Sequence, residues 1–207
     1  MPDLLAPELP DKQGERLTRV DYKQAFRERR TAIRSGEAWK LERLQHFEET
    51  GDDSREALRR GDWAAVLRLF EAERDALVQG TRRDAARGVV FHRVRVVETP
   101  ITPYVQWELH WLRLAAECGH SARVLPASAV AEAEKVAMLP ELVVLDDRTL
   151  YRVLYTDLGR PDGAVRFTDT GTVRRWSEYL RELYEAAEDV QEYFDRVVAP
   201  LPPPPPA

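Results

Sequence analysis

At 207 residues the chain is long enough to bury one sizeable core and barely long enough for two. A formal net charge of −5 supplies no overall positive field, which argues against direct binding to nucleic acid or to an anionic membrane. The single cysteine, Cys118, excludes an intrachain disulfide and an intrachain thiolate metal site.

Residues 1–15 hold three prolines among scattered charges and read as a disordered N-terminal arm. They have neither the basic start nor the apolar run of an export signal, and no stretch of the chain approaches a membrane span, so the expected location is cytoplasmic. From Asp21, the positions Tyr22, Ala25, Phe26, Ala32 and Ile33 recur near the helical period, which predicts a helix stopped at Gly36. Residues 37–49 place Trp39, Leu41, Leu44 and Phe47 where a second helix would bury them; an extended reading of 38–44 stays open. Asp62 is a good N-cap for an amphipathic helix through Val78, with Trp63, Val66, Leu67, Phe70 and Leu77 on one face and Gly80 after it. These elements make a helical part over 16–87.

At Gly88 the pattern changes. The β-branched run Val89, Val90, Val94, Val96 and Val97 predicts a buried strand. Thr102 and Pro103 then open a helix through Trp107, Trp111 and Leu114 to Gly119. A strand at 122–125, a helix around 127–136 and a strand at 142–145 complete a β-α-β-α-β order. Residues 150–156 and 164–167 form an antiparallel meander around a Gly- and Pro-rich turn. A long helix over 172–198, striped by Val173, Trp176, Leu180, Leu183, Val190 and Phe194, closes this second part, 88–198. The expected fold is a single α/β (α+β) domain over 16–198, with a helical N-terminal half, a mixed sheet and a proline-rich tail at 199–207. Five consecutive prolines, Pro202–Pro206, favour a polyproline II conformation. Charge is uneven: Lys12–Arg34 carries eight bases against three acids, and Thr172–Val198 seven acids against four arginines. These two segments could meet within the molecule or across a homodimer.

Standard nucleotide and nucleophile signatures are missing: there is no phosphate-binding glycine loop, no Gly-x-Gly-x-x-Gly and no Gly-x-Ser-x-Gly. His46, His92, His110 and His120 lack the spacing that puts metal ligands on one helical face, so neither a metal nor a cofactor is expected. The densest chemistry lies between Arg93 and Glu108. Strand alternation puts Arg93 and Arg95 on one face, and helical spacing groups Tyr104, Trp107 and Glu108. Guanidinium groups beside an acid and a phenol can orient a carboxylate or phosphate, and they can equally pair with one another as an internal clamp. Asp146 and Asp147, at the end of a predicted strand, could hold a divalent ion or could form a tight turn. Cys118 sits at a helix C-terminus, where the dipole disfavours a thiolate.

The runs Arg93–Leu109, Ala122–Leu125 and Leu139–Asp147, above all the Pro-x-Thr-x-Tyr-x-x-Trp-Glu-Leu segment, resemble an uncharacterised actinobacterial family of unknown function. Its members are often encoded beside helix-turn-helix regulators of development and antibiotic production. The resemblance implies a setting: a non-catalytic accessory or regulatory protein acting through protein–protein contact, with a helix-turn-helix regulator as partner. The alternative, from the residues, is a small-anion-sensing or enzymatic domain using the Arg93, Arg95, Tyr104 and Glu108 cluster. A direct nucleic-acid role is the third and weakest reading, and would need the Arg-rich first helix exposed as a basic stripe.

Overall fold

The computed structural model describes residues 5–48 and 50–206 and is a mixed α/β protein built on one eight-stranded mixed sheet. Residues 1–4 of the expected arm lie outside the described residues. Its remainder is ordered: Ala6 and Leu9 pack on an apolar core, Asp11–Gln13 form a 3-10 turn, and strand β1 (Glu15–Leu17) leads into helix α1 (Arg19–Ala32). The Thr18 hydroxyl caps this helix by accepting the Asp21 N–H at 3.2 Å.

Strand structure in the N-terminal half is the main correction to the expected fold. The helix expected over 37–49 is instead strand β2 (Glu37–Glu42), the extended alternative. Apolar and polar residues alternate from Trp39 to Glu42, and β2 gains a hydrogen-bonded neighbour on each side, which satisfies its backbone more fully than a short helix could. Helix α2 (Asp53–Arg59), which periodicity does not announce, follows, capped by Asp52. Helix α3 (Trp63–Ala86), capped by Asp62, runs past Gly80, since one interior glycine costs only about 1 kcal/mol against the packing of 24 residues.

Next come β3 (Val90–Val97), α4 (Pro103–Glu117) and β4 (Ser121–Pro126); β2, β3 and β4 are parallel neighbours. The helix expected around 127–136 shrinks to one 3-10 turn, Ala127–Val130. Val130 is buried there, but Val136 and Met138 are exposed, so no apolar stripe holds a longer helix. Strands β5 (Leu142–Leu145), β6 (Thr149–Tyr155) and β7 (Pro161–Phe167) form the antiparallel meander, giving the order β1-β7-β6-β5-β2-β3-β4-β8. A Cβ at Gly163, whose φ is +87°, would lie 2.2 Å from the Leu17 carbonyl oxygen, so glycine lets β1 settle on β7.

The long C-terminal helix is two pieces. Helix α5 (Thr170–Ala186) ends at an extended Ala187, β8 (Glu188–Asp189) pairs with β4, and α6 (Val190–Tyr193) runs into a π-helical turn, Phe194–Val198. The break has a cause in packing. Trp176, Leu180 and Leu183 fill the core on one face of the sheet, whereas Val190, Phe194 and Val198 fill the core on the other. An unbroken helix could not cross the sheet edge. Helix α5 therefore covers one face together with Ala6, Leu9, Val130 and Leu139, and the opposite face is shared by α1 over the meander and by α3, α4 and α6 over β3 and β4. With the sheet between α1 and α5, the basic N-terminal and acidic C-terminal helices do not meet within the molecule. No helix among the described residues is long and apolar enough to cross a membrane.

Candidate functional site

Five of the seven nominated residues come together. Arg93 and Arg95 point from β3 toward the first turns of α4, where Tyr104, Trp107 and Glu108 face them; Arg93, Tyr104, Trp107 and Glu108 line a cleft of about 270 Å³ with Lys40, Glu42, Asp52, Glu73 and Trp111. Asp146 and Asp147 do not join them. They lie beyond the β5 end that pairs with Ala38, and from Glu37 to Glu42 the β2 strand rises about 16 Å at 3.3 Å per residue.

Arg95 is wholly buried, at 0% exposure, and its surroundings are built for a cation. Its Nε donates to Glu108 Oε2 at 2.7 Å, and its Nη1 donates to the carbonyls of Val96 at 3.0 Å and Glu42 at 3.3 Å. Its Nη2 has no hydrogen-bond partner among the described residues. Arg93 donates to Glu42 Oε2 at 2.8 Å, and Lys40 pairs with the other oxygen of the same carboxylate. Burial pushes the Glu42 carboxyl up, but Arg93, Lys40 and Arg95 more than offset it and hold the group down to about 2. Burial raises Glu108, with Arg95 opposing and Glu42 adding to the rise. Arg95 stays charged, because Glu108 and Glu42 outweigh its own desolvation.

Aromatic rings close the layer. The Arg93 guanidinium lies 5.5 Å over Trp111, and Arg55 lies 5.2 Å over Tyr104 and 5.9 Å over Trp107. The Trp107 indole N–H donates to Ser54 at 3.2 Å. The result is a polar clamp tying β2, β3 and α2 to α4, with each carboxylate of the pairs Arg95–Glu108 and Arg93–Glu42 matched to a base.

Asp146 and Asp147 adopt left-handed backbone, φ 54° and 49°, in a tight turn closed by the Arg148 N–H on the Leu145 carbonyl at 3.1 Å. Asp147 pairs with Arg181 at 2.8 Å and Asp146 with Arg148 at 3.4 Å. No group of three His, Cys, Asp or Glu side chains that could hold a metal exists among the described residues. His92 stacks on Trp39 with ring centres 4.2 Å apart, and His110 sits edge-on to Trp63 and Phe194. Cys118 is buried.

Three contributors escape sequence reasoning. Lys40 and Glu42 are hidden by a helical reading of 37–49, although the alternation of Trp39, Lys40, Leu41 and Glu42 carries the signal. Glu141 gives no local sign at all. It sits at the exit of β2, where its Oε1 accepts the N–H groups of Arg43 and Leu44, each at 2.6 Å, and burial pushes its carboxyl up to about 7. It lines a larger cleft, about 830 Å³, at the carboxyl ends of β2 and β6, together with Leu44, His46, Arg55, Tyr104, Leu154 and Tyr155. Ligands of open α/β sheets settle at such strand ends. Tyr104 belongs to both clefts and divides them. A family model described as a domain of unknown function, DUF6879, matches residues 24–195. No curated protein matches the chain.

Proposed function

We propose that this chain, which belongs to the DUF6879 family, is a non-catalytic accessory protein acting through protein–protein contact, with a helix-turn-helix regulator as its partner. The observation that carries this reading is α1. Not one of its residues is fully buried; Arg19, Lys23 and Arg27 are exposed and form no ion pair among the described residues, and Val20 is 73% exposed beside them. A helix that holds to its own domain by Tyr22, Ala25, Phe26 and Arg30 and leaves this basic face exposed suits docking on an acidic surface. The internal pairing of Arg93 with Glu42 and of Arg95 with Glu108 supports the same reading, because each carboxylate already has its base within the clamp. The partner class rests on the resemblance to a family encoded beside such regulators, and a cytoplasmic setting goes with it.

The test is capture of the tagged chain from its native host, washed at moderate salt, followed by mass spectrometry. A helix-turn-helix protein recovered at stoichiometric level, and lost with the charge-reversed variant Lys23→Glu/Arg27→Glu, is the expected result. That variant changes exposed sites and shifts stability by less than about 0.5 kcal/mol. Recovery of the chain alone sinks an obligate partner, and recovery of nucleic acid moves the reading to the exposed basic stripe.

One observation favours a small-anion-sensing role as the second reading: the larger cleft carries Arg55 and Tyr104 on its wall. Titration with inorganic phosphate and citrate, read by Trp107 fluorescence against an Arg55→Met control, checks it.

A further inference from the structure

We propose that the surface running from α4 to the turn between α2 and α3 is a polyproline II recognition groove, held in cis by Pro202–Pro206 and open in trans to a proline-rich segment of a partner. This goes beyond the accessory reading and stands on different residues.

Prolines lack an N–H, so this stretch can offer a binding surface only carbonyl acceptors and ring faces. Both are used. Gln106, 7% exposed on α4, donates its Nε2 to the Pro202 carbonyl at 2.8 Å. Pro204 is buried while Pro202, Pro203, Pro205 and Pro206 are exposed, as expected when a helix of three residues per turn rests on a surface along one edge. At the far end Pro206 lies over Gly61, where a Cβ would come within 3.0 Å of its Cγ. From Pro202 to Pro206 the segment spans about 12 Å at 3.1 Å per residue, which sets the length of the groove. A side-chain donor to a proline carbonyl, a buried ring and a bare backbone for close approach together recognise this conformation and no particular side chain.

The last backbone donor before the prolines, the Leu201 N–H, is tied to Val198 at 2.9 Å, so the tail leaves the π-helical turn at a fixed point. So short a tether keeps the tail at an effective concentration of about millimolar beside the groove. A partner segment has to outcompete it, and the tail thereby sets the threshold for binding in trans.

The test uses the full-length chain with Pro202→Ser, Pro203→Gly, Pro204→Ser, Pro205→Gly and Pro206→Ser, which empties the groove at constant length. A synthetic peptide of residues Ala199–Ala207 is titrated into it and followed by the Gln106 side-chain amide in NMR spectra. Saturable binding is expected, weaker by about tenfold or more on the wild-type chain, where the cis tail competes. Gln106→Ala in the opened chain, followed by the Gly61 backbone amide at the far end of the groove, should weaken it about threefold to tenfold. No binding at millimolar peptide, equal binding to wild-type and opened chains, or equal binding of a Gly/Ser peptide of the same length overturns the proposal. A second variant covers failure of the first to fold: Gln106→Glu in the otherwise native chain removes the donor. The Leu201 amide should then gain the mobility of a released tail, and an unchanged Leu201 overturns the proposal as well.

Discussion

The two faces of β2 and β3 are made from interleaved residues of the same strands and are held by different physics. Trp39, Leu41, Val94 and Val96 turn toward α5 and join a dry core, while Lys40, Glu42, Arg93 and Arg95 turn toward α4 and form a layer of paired charges. The first face is stabilised roughly in proportion to the apolar area it removes from water. The second depends on every partner being present, because burying two matched charges gains little while stranding one is expensive. The difference predicts how each face fails.

The largest effects are expected from single truncations, and of similar size on both faces. Trp176→Ala removes a fully buried ring beneath α5 and should cost about 3–5 kcal/mol in urea denaturation. On the charged face Glu108→Ala should cost about as much, roughly 3–5 kcal/mol, although it removes fewer apolar contacts, because the Arg95 guanidinium is left buried and unmatched. The double variant Arg95→Met/Glu108→Leu should return to within about 2 kcal/mol of wild type. If the double variant is as unstable as the single one, the charged face is held by shape like the other, and the contrast between them disappears.

A smaller, pH-dependent effect sharpens the contrast at the edge of the charged layer. Glu141 titrates near 7 in the fold against an ordinary 4.5, so folding takes up a proton between those values. Its contribution is fully present below about pH 4.5 and is lost as pH rises through 7. Glu141→Gln, which mimics the protonated acid, should match wild type near pH 4.5 and exceed it by about 1–3 kcal/mol above pH 7.5. His46, His92, His110 and His120 are lowered by burial and act in the opposite direction, so they cancel in the difference between the two proteins. Parallel stability curves for wild type and variant would place Glu141 in water.

Much of the candidate cluster was legible because it lies on two elements whose periods are clear. The spacing of Arg93 and Arg95 on a strand groups them on one face, and that of Tyr104 and Glu108 groups them on one side of a helix; that the two groups meet is decided by the tertiary structure. Glu42 and Lys40 were not legible in the same way: Trp39, Leu41, Leu44 and Phe47 fit a helical stripe nearly as well as an alternating strand over so short a run. Glu141 was hidden more deeply, because burial raises its carboxyl and the N–H groups it accepts, which pull the other way, belong to the loop after β2, about a hundred residues away in sequence.

Composition and local pattern by themselves determined a mixed α/β fold, the caps at Asp62 and Thr102, the meander, and the pairing potential of the arginine cluster, because each rests on neighbours within one or two turns of chain. Tertiary structure alone decided that 37–42 is a strand, that the C-terminal helix breaks at Ala187 to cross the sheet edge, and that the proline tail lies against α4. Those three outcomes depend on which surfaces a segment meets, and non-local contacts outweigh the small free-energy differences between local conformations.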